Sequence, residues 1–388
     1  MSSLTTRLIT TREEFARLGP EWDALLDRSS IRSVFLTWGW LYTWWCALGG
    51  SRELRICEVR DGSGRLTGIG PFCIQPYGRL PRLRLLTFLG TSRVSSDYLD
   101  VIADPSHEEE VVAAVWRALW DDQEHWDLAR WPDMLESALL LRHGGHLGNA
   151  ADLARETRLC QVCPYLPLAG DPDAQMAAFG SNLRMNVKRK IRTLERAGLI
   201  IETAADGPTL GPALEALYAL HHRRWSQRNQ AGNFQDPRVR EFHAKLVEHF
   251  AASERMRLYT LRHAGAILAV LYTLQYKDTM SYYQSGYEPD AGVVGLGATE
   301  YSPGFALLAH SILDATRRGL QEYDFLRGPE AYKGRWTKQR RITRGLTLIP
   351  RQNWRALGRH RIERGVALSK RLVNRLLRRQ ADAWSLPS

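Results

Sequence analysis

YYQSGYEPDAGVVGLGATEYSPGFALLAHSILDATRRGLQEYDFLRGPEAYKGRW, residues 282–336, runs from a strand through a glycine-rich turn into a helix and out into a second strand. Tyr282 to Tyr287 ends a period-two run that begins at 279. Gly292, Gly295 and Gly297 follow, and then Ser302-Pro303, an N-cap residue with proline at the first helical position. Apolar residues recur at helical spacing over 303–319, and 321–326 reads as the next strand. A strand, a glycine loop and an open helix N-terminus make an anion site, because unpaired N–H groups and the helix dipole both face an incoming phosphate.

Outward from this stretch, helical and strand patterns alternate along the whole chain, which predicts a mixed α/β fold. The N-terminal half reads as helices at 12–27 and 38–47, strands at 54–60, 66–75, 83–89 and 98–102, a helix at 107–120 capped by Ser106, and a strand at 126–130. After a Pro-rich linker, CPYLPLAGDPD, the second half repeats that order. It has a strand at 199–203, helices at 211–228 and 237–251, strands at 256–262, 266–276 and 279–287, and a final strand at 344–349. The expected organisation is a domain over 1–165, a duplicate over 166–350 and a tail over 351–388.

The 388 residues are 44% hydrophobic and 24% charged, enough for a normal core in each half. The opening residues lack the apolar run of an export signal and no stretch is long enough to span a bilayer, so a cytoplasmic protein is expected. Five scattered cysteines suit reduced core thiols; Cys160 and Cys163 lack a second pair or a histidine at zinc spacing, so no metal is expected. The net charge of +11 is concentrated: ten Lys/Arg against Glu363 and Asp382 fall in 351–388. A uniformly basic nucleic-acid binder is not arranged this way.

Two amphipathic segments carry the cations. In SNLRMNVKRKIRTLERAG, Leu183, Val187, Ile191 and Leu194 share one helical face while Arg184, Lys188, Arg192 and Arg196 recur every four residues on another. That face is either solvated or a docking ridge for phosphates. Over 359–380, Ile362, Val366, Leu372, Val373, Leu376 and Leu377 group opposite Arg364, Lys370, Arg371, Arg375 and Arg378, a pattern that suits an anionic membrane surface or the cover of a domain seam.

Several stretches resemble the CelD/BcsL-like acetyltransferases, a GNAT-superfamily group related to the FemAB/FemX aminoacyl-transferases. They are SVFLTWGWLYTWW (33–45), LTFLGTSRVSSDYLD (86–100), FGSNLRMNVKRKIRTLERAG (179–198), LHHRRWSQRNQAGNF (220–234), YYQSGYEP (282–289) and, most specifically, YDFLRGPEAYKGRW (323–336). The resemblance implies tandem GNAT-like domains, an acyl donor such as acetyl-CoA or another acyl-CoA in the second, and a saccharide or small-molecule acceptor between the halves. The Fem relatives imply aminoacyl-tRNA as the alternative donor. A non-catalytic accessory protein docked at a membrane synthase by its basic tail, peripheral at the inner membrane, is the third reading.

Acyl transfer needs a neutral nucleophile, donors for the oxyanion and a proton for the departing thiolate. Tyr283, Ser285, Gly295, Gly297 and Ser302 are the candidate donor contacts. Lys333 is the first catalytic candidate by the Fem resemblance, with a surface ion pair as its plain alternative. Tyr332 protonates a thiolate or packs beside Trp336; Asp324 is a base or the partner of Arg327; Glu330 is freer; His221 is a base or a packed ring. Asp97 and Tyr98 contact the acceptor or form a turn, and Arg184, Lys188, Arg224 and Trp225 are further substrate candidates. Trp38, Trp40, Trp44 and Trp45 stack on a sugar or, at the four-residue spacing of Trp40 and Trp44, line a core.

Overall fold

The computed structural model describes residues 4–91, 93–144, 152–226, 232–290, 294–297, 300–366 and 369, without the side chains of 224–226 and 233. The first half runs β1 (Thr5–Ile9), α1 (Arg12–Arg17), α2 (Gly19–Arg28), α3 (Trp38–Leu48), β2 (Glu53–Arg60), β3 (Leu66–Tyr77), β4 (Leu83–Phe88), β5 (Ile102–Ala103), α4 (Glu108–Asp121), β6 (Leu128–Leu135) and α5 (Leu139–Arg142). There follow β7 (Leu153–Pro167), α6 (Pro172–Ala178), α7 (Ser181–Arg196), β8 (Ile200–Ala204), α8 (Gly207–Ser226), α9 (Pro237–Phe250), β9 (Met256–His263), β10 (Ala266–Tyr276), β11 (Thr279–Tyr287), α10 (Pro303–Arg317), β12 (Glu322–Asp324) and β13 (Arg340–Pro350). A last helix, α11, covers residues 354–366.

The duplication expected from element order is present in the topology. β1-β2-β3-β4 and β8-β9-β10-β11 are antiparallel runs; each leads through a helix, α4 or α10, to a strand parallel to the fourth, β6 beside β4 and β12 beside β11. Each half also places helices between its first two strands, and two of these, α3 and α9, pack on each other. Gly39 permits the close approach: a Cβ there would stand 3.2 Å from His249 Cβ. Trp40 meets Phe242 edge-on at 4.9 Å, and both Trp40 and Trp44 are fully buried, so they line a core rather than a sugar site.

The two sheets are continuous because the halves exchange strands. β13, the end of the second half, lies between β6 and β7, while β7 pairs with both β13 and β12. The Pro-rich stretch taken as a linker is therefore the end of β7: Pro164 and Pro167 sit in the ladder, and the linker proper begins beyond. Three other local readings change. The helix at 12–27 divides at Leu18 because Pro20 opens a new helix. Ser106 does not cap α4; it lies in a short 3-10 turn capped by Asp104, and α4 starts at Glu108. The strand at 98–102 shrinks to β5, because the backbone at 93, 95 and 98 turns to positive φ.

Candidate active site

β11 and β12 pair only through Thr279–Ser281 and Glu322–Asp324. Past that point the chain after β12 turns toward β7, with the Phe325 N–H donating to Pro164 O and the Gly328 N–H to Val162 O, while β11 runs on to Tyr287. The strands thus part into a wedge. On the other side of β11 the register with β10 shifts and leaves Tyr283 unmatched between Tyr282 and Gln284, a bulge of the sort that re-aims side chains beside active sites.

A cavity of about 760 Å³ fills the wedge. One wall is Tyr282–Ser285 and Tyr287, the other Phe325–Arg327; Ser302–Phe305 at the start of α10 close one end, the 330–336 segment covers it, and Ser95 and Asp97 reach in from the first half. The corresponding parting in the first half is filled by Phe72, Phe88 and Trp131, whose rings lie 5.3–6.2 Å apart. The helices differ too: α4 has Glu108, Glu109 and Glu110 in its first turn, and α10 has no acid there. The positive end of α10 faces open space with no side-chain cap, so its unpaired N–H groups are available to an anion.

Most of the candidates converge here, but several are already engaged. Lys333 is only 3% exposed, and its ammonium donates to the carbonyls of Leu326 (3.3 Å), Arg327 (2.8 Å) and Gly328 (3.4 Å) while pairing with Glu330 at 2.8 Å. It fastens the wall of the wedge. Glu330, expected to be freer, is its ion-pair partner. Tyr283 donates to Val94 O at 2.6 Å. Tyr332 is pushed far above the usual phenol range by burial and by Tyr282, so it stays a neutral donor. Tyr282 and Ser285 share a 2.7 Å hydroxyl contact, and His221 lines the cavity with its ring edge-on to Phe234 at 4.9 Å.

The ion pair expected between Asp324 and Arg327 is replaced by two others. Arg327 pairs with Asp97 at 2.6 Å and Asp133 at 2.7 Å, both from the first half. Asp324 accepts from Leu326 N–H and Tyr98 O–H and faces Arg341 at 3.5 Å. Tyr98 and Asp324 line a separate 360 Å³ cavity at the seam rather than the wedge. Burial raises Asp97 to about 6 and Asp324 to about 7, with Arg327 and Arg341 opposing the shift. Gly295 and Gly297 do not line the wedge; the Gly297 N–H donates to Glu300. The side chains of Arg224 and Trp225, and Gly292, lie outside the described residues.

Beyond Ser302 and Phe305 the wedge continues into a second cavity of about 760 Å³, bordered by Asn182, Asn186, Arg189, Lys190, Arg335 and Lys338 with no acidic side chain. α7 supplies one bank. It buries Val187 and Leu194, as its pattern predicts, and leaves Lys188, Arg192 and Arg196 outward; Arg184 is half-buried and Lys188 borders only a shallow groove with Arg192 and Arg196. Neither Arg189 nor Arg335 was singled out in the sequence as a site residue, and Trp336 only as a packing partner of Tyr332. Trp336 packs on Phe305 (5.0 Å) and Phe179 (5.6 Å), and its place in the YKGRW run was the only signal for it. All five cysteines are free, and no group of three or more His, Cys, Asp or Glu is placed to hold a metal among the described residues.

Residues 181–334 match the family model described as "Acetyltransferase (GNAT) domain", a span that contains α7, β11, α10 and most of the wedge's lining. No curated protein matches the chain by sequence. Among solved structures, FemX superposes with a TM-score of 0.60 at 12% identity, over 91% of this chain and 99% of its own. The C-terminal domain (DUF2156) of a putative lysylphosphatidylglycerol synthetase from Agrobacterium fabrum superposes with a TM-score of 0.53 at 11% identity, over 87% and 92%. At these identities the likeness is one of fold. The chain is a mixed α/β protein whose halves repeat one topology, and residues 181–334 of its second half are similar to a GNAT acetyltransferase domain, the likeness that marks it as an acyltransferase.

Proposed function

We propose that the protein transfers an acyl group from acyl-CoA to an amine or hydroxyl of a small-molecule or saccharide acceptor. The observation that carries this reading is the parting of β11 from β12 at Ser281 and Asp324, into a wedge that ends on the acid-free N-terminus of α10. A pantetheine arm lies along the open edge of β11, and its phosphates meet the α10 N–H groups, Arg189 and Arg335. The acceptor approaches from the seam, where Ser95 and Asp97 enter.

In the reaction the acceptor nitrogen or oxygen bonds to the thioester carbonyl carbon, the C–S bond breaks, and the nucleophile's proton ends on the thiolate. N–H groups of the β11 bulge, with the neutral Tyr332 hydroxyl, stabilise the oxyanion. His221 and the Tyr282–Ser285 hydroxyl pair are the groups placed to relay the proton. Lys333 positions the 326–328 wall rather than touching the reacting atoms.

Aminoacyl-tRNA is the second reading, favoured by the whole-chain superposition on FemX and by the outward cations of α7. Calorimetric titration with acetyl-CoA, longer acyl-CoAs and CoA decides between them. Micromolar binding that is weakened by Arg189→Glu and unchanged by Arg196→Glu, which lies two turns away, supports acyl-CoA. No binding to any CoA species, with salt-steep binding of tRNA sensitive to both substitutions, overturns it.

A further inference from the structure

α11 covers a small apolar cluster with one side and leaves large apolar side chains on the other, unlike a helix that simply covers a core. Its inward side sets Ala356 and Leu357 on the apolar cluster of Leu83, Leu85, Leu128 and Ile349 and adds polar contacts: His360 lies 2.5 Å from Glu156, and Glu363 accepts from the Tyr77 hydroxyl at 2.5 Å and from Arg130 at 3.1 Å. Its outward side carries Trp354, Ile362 and Val366, which are 73%, 69% and 51% exposed. At a helical step of about 100° per residue these three fall within an arc of about 120°.

A second, sequence-distant segment adds to the same region. The turn between β3 and β4 abuts α11 so closely that a Cβ on Gly78 would come 2.6 Å from the Arg359 guanidinium. Two residues on, Leu80 is 90% exposed. Seven large apolar side chains stand exposed among the described residues, and four of them are on this helix and this turn. Chance scatter would not gather them there. Arg79 and Arg82 flank Leu80, and Arg355 and Arg361 stand beside Trp354 and Ile362; all four are exposed, and none makes an ion pair among the described residues.

We propose that this face seats the protein peripherally on an anionic lipid surface, with Leu80, Trp354, Ile362 and Val366 entering the headgroup boundary and the arginines meeting lipid phosphates. The charge complementarity is what selects the occupant. Apolar side chains interleaved with unneutralised guanidinium groups suit a surface that is oily within and anionic at its rim. The sequence beyond continues the same mixture, with Lys370, Arg371, Arg375, Arg378 and Arg379 among Leu372, Val373, Leu376 and Leu377. No helix among the described residues is long and apolar enough to cross a membrane, so the contact lies on the surface.

The test is independent of the acyl-transfer reading. The full chain is sedimented with vesicles of phosphatidylcholine alone and with vesicles of equal parts phosphatidylcholine and phosphatidylglycerol. Binding to the mixed vesicles only, falling with salt, is expected. Trp354→Ser with Ile362→Ser should weaken it by about tenfold or more, and Arg355→Gln with Arg361→Gln by about thirtyfold, with the unfolding midpoint unchanged because all four side chains are exposed. Absence of vesicle binding, equal binding to neutral vesicles, or binding indifferent to these substitutions overturns the proposal. So does a lipid-free dimer dissolved by the serine substitutions, which would make the face a contact between copies of the chain.

Discussion

Arg327 Nε stands 2.6 Å from Asp97 Oδ1, an ion pair that joins one wall of the wedge to the first half. Asp97 is 2% exposed and the same guanidinium reaches Asp133 at 2.7 Å. Losing the cation would leave a buried carboxylate without its counter-charge. Arg327→Met is expected to cost about 3 kcal/mol of stability, read as a lowered denaturant midpoint, and to reduce any activity that needs the seam intact. An unchanged midpoint would mean that the seam opens freely to water.

Asp97 and Asp324 make the seam sensitive to pH in a defined direction. Both have folded-state values raised by burial, to about 6 and about 7, above the ordinary carboxylate value. The folded protein therefore holds more protons than the unfolded chain between about pH 4 and pH 7, and these two groups favour folding least once pH has risen through that window. Asp324→Asn should flatten the decline contributed between pH 4 and 7, measured by denaturant titration at a series of pH values. A decline of the same slope in the variant would place its source elsewhere.

Lys333 and Tyr332 are neighbours that should fail differently. Lys333→Met strips the carbonyls of Leu326, Arg327 and Gly328 of a buried donor, so stability and activity fall together, by about 3 kcal/mol in stability. Tyr332→Phe removes one neutral hydroxyl from the wedge, so kcat should fall by about a hundredfold with the unfolding midpoint within about 1 kcal/mol of the parent. A Lys333→Met protein that is stable yet inactive would move the lysine from positioning to chemistry.

Gly304 offers a change with opposite signs on stability and binding. It is the second residue of α10, and a Cβ there meets only the Tyr287 ring at 3.7 Å, so a side chain fits. A carboxylate in that turn favours the helix dipole, and Gly304→Asp should stabilise by about 0.5 kcal/mol. The same charge repels phosphate, and acyl-CoA affinity should fall about tenfold or more. Calorimetry with acetyl-CoA and a thermal melt check both halves; tighter binding would remove the phosphate from this helix end.

Element order and its repetition in the two halves were legible in the chain because they are local. Period-two runs, the glycine turn, Ser302-Pro303 and the four-residue cationic repeat of α7 are decided by neighbours a few residues apart. Which side chains pair was not legible. Asp324 and Arg327, three apart on a strand and its exit, looked like partners, but adjacent backbone directions send one to Tyr98 and Arg341 and the other to Asp97 and Asp133.

Tertiary structure alone decided the exchange of β7 and β13, the burial of Lys333 under three carbonyls, and the outward turn of Trp354, Ile362 and Val366. Each depends on contacts between segments far apart in sequence, where hydrogen-bond geometry and the competition for buried surface select one partner among many that composition permits. The sequence by itself determined the α/β class, the repeated order of elements and the likeness of residues 181–334 to a GNAT acetyltransferase domain. How Arg327 ties the second half to the first through Asp97 and Asp133, and which way Trp354, Ile362 and Val366 face, the folded chain alone determined.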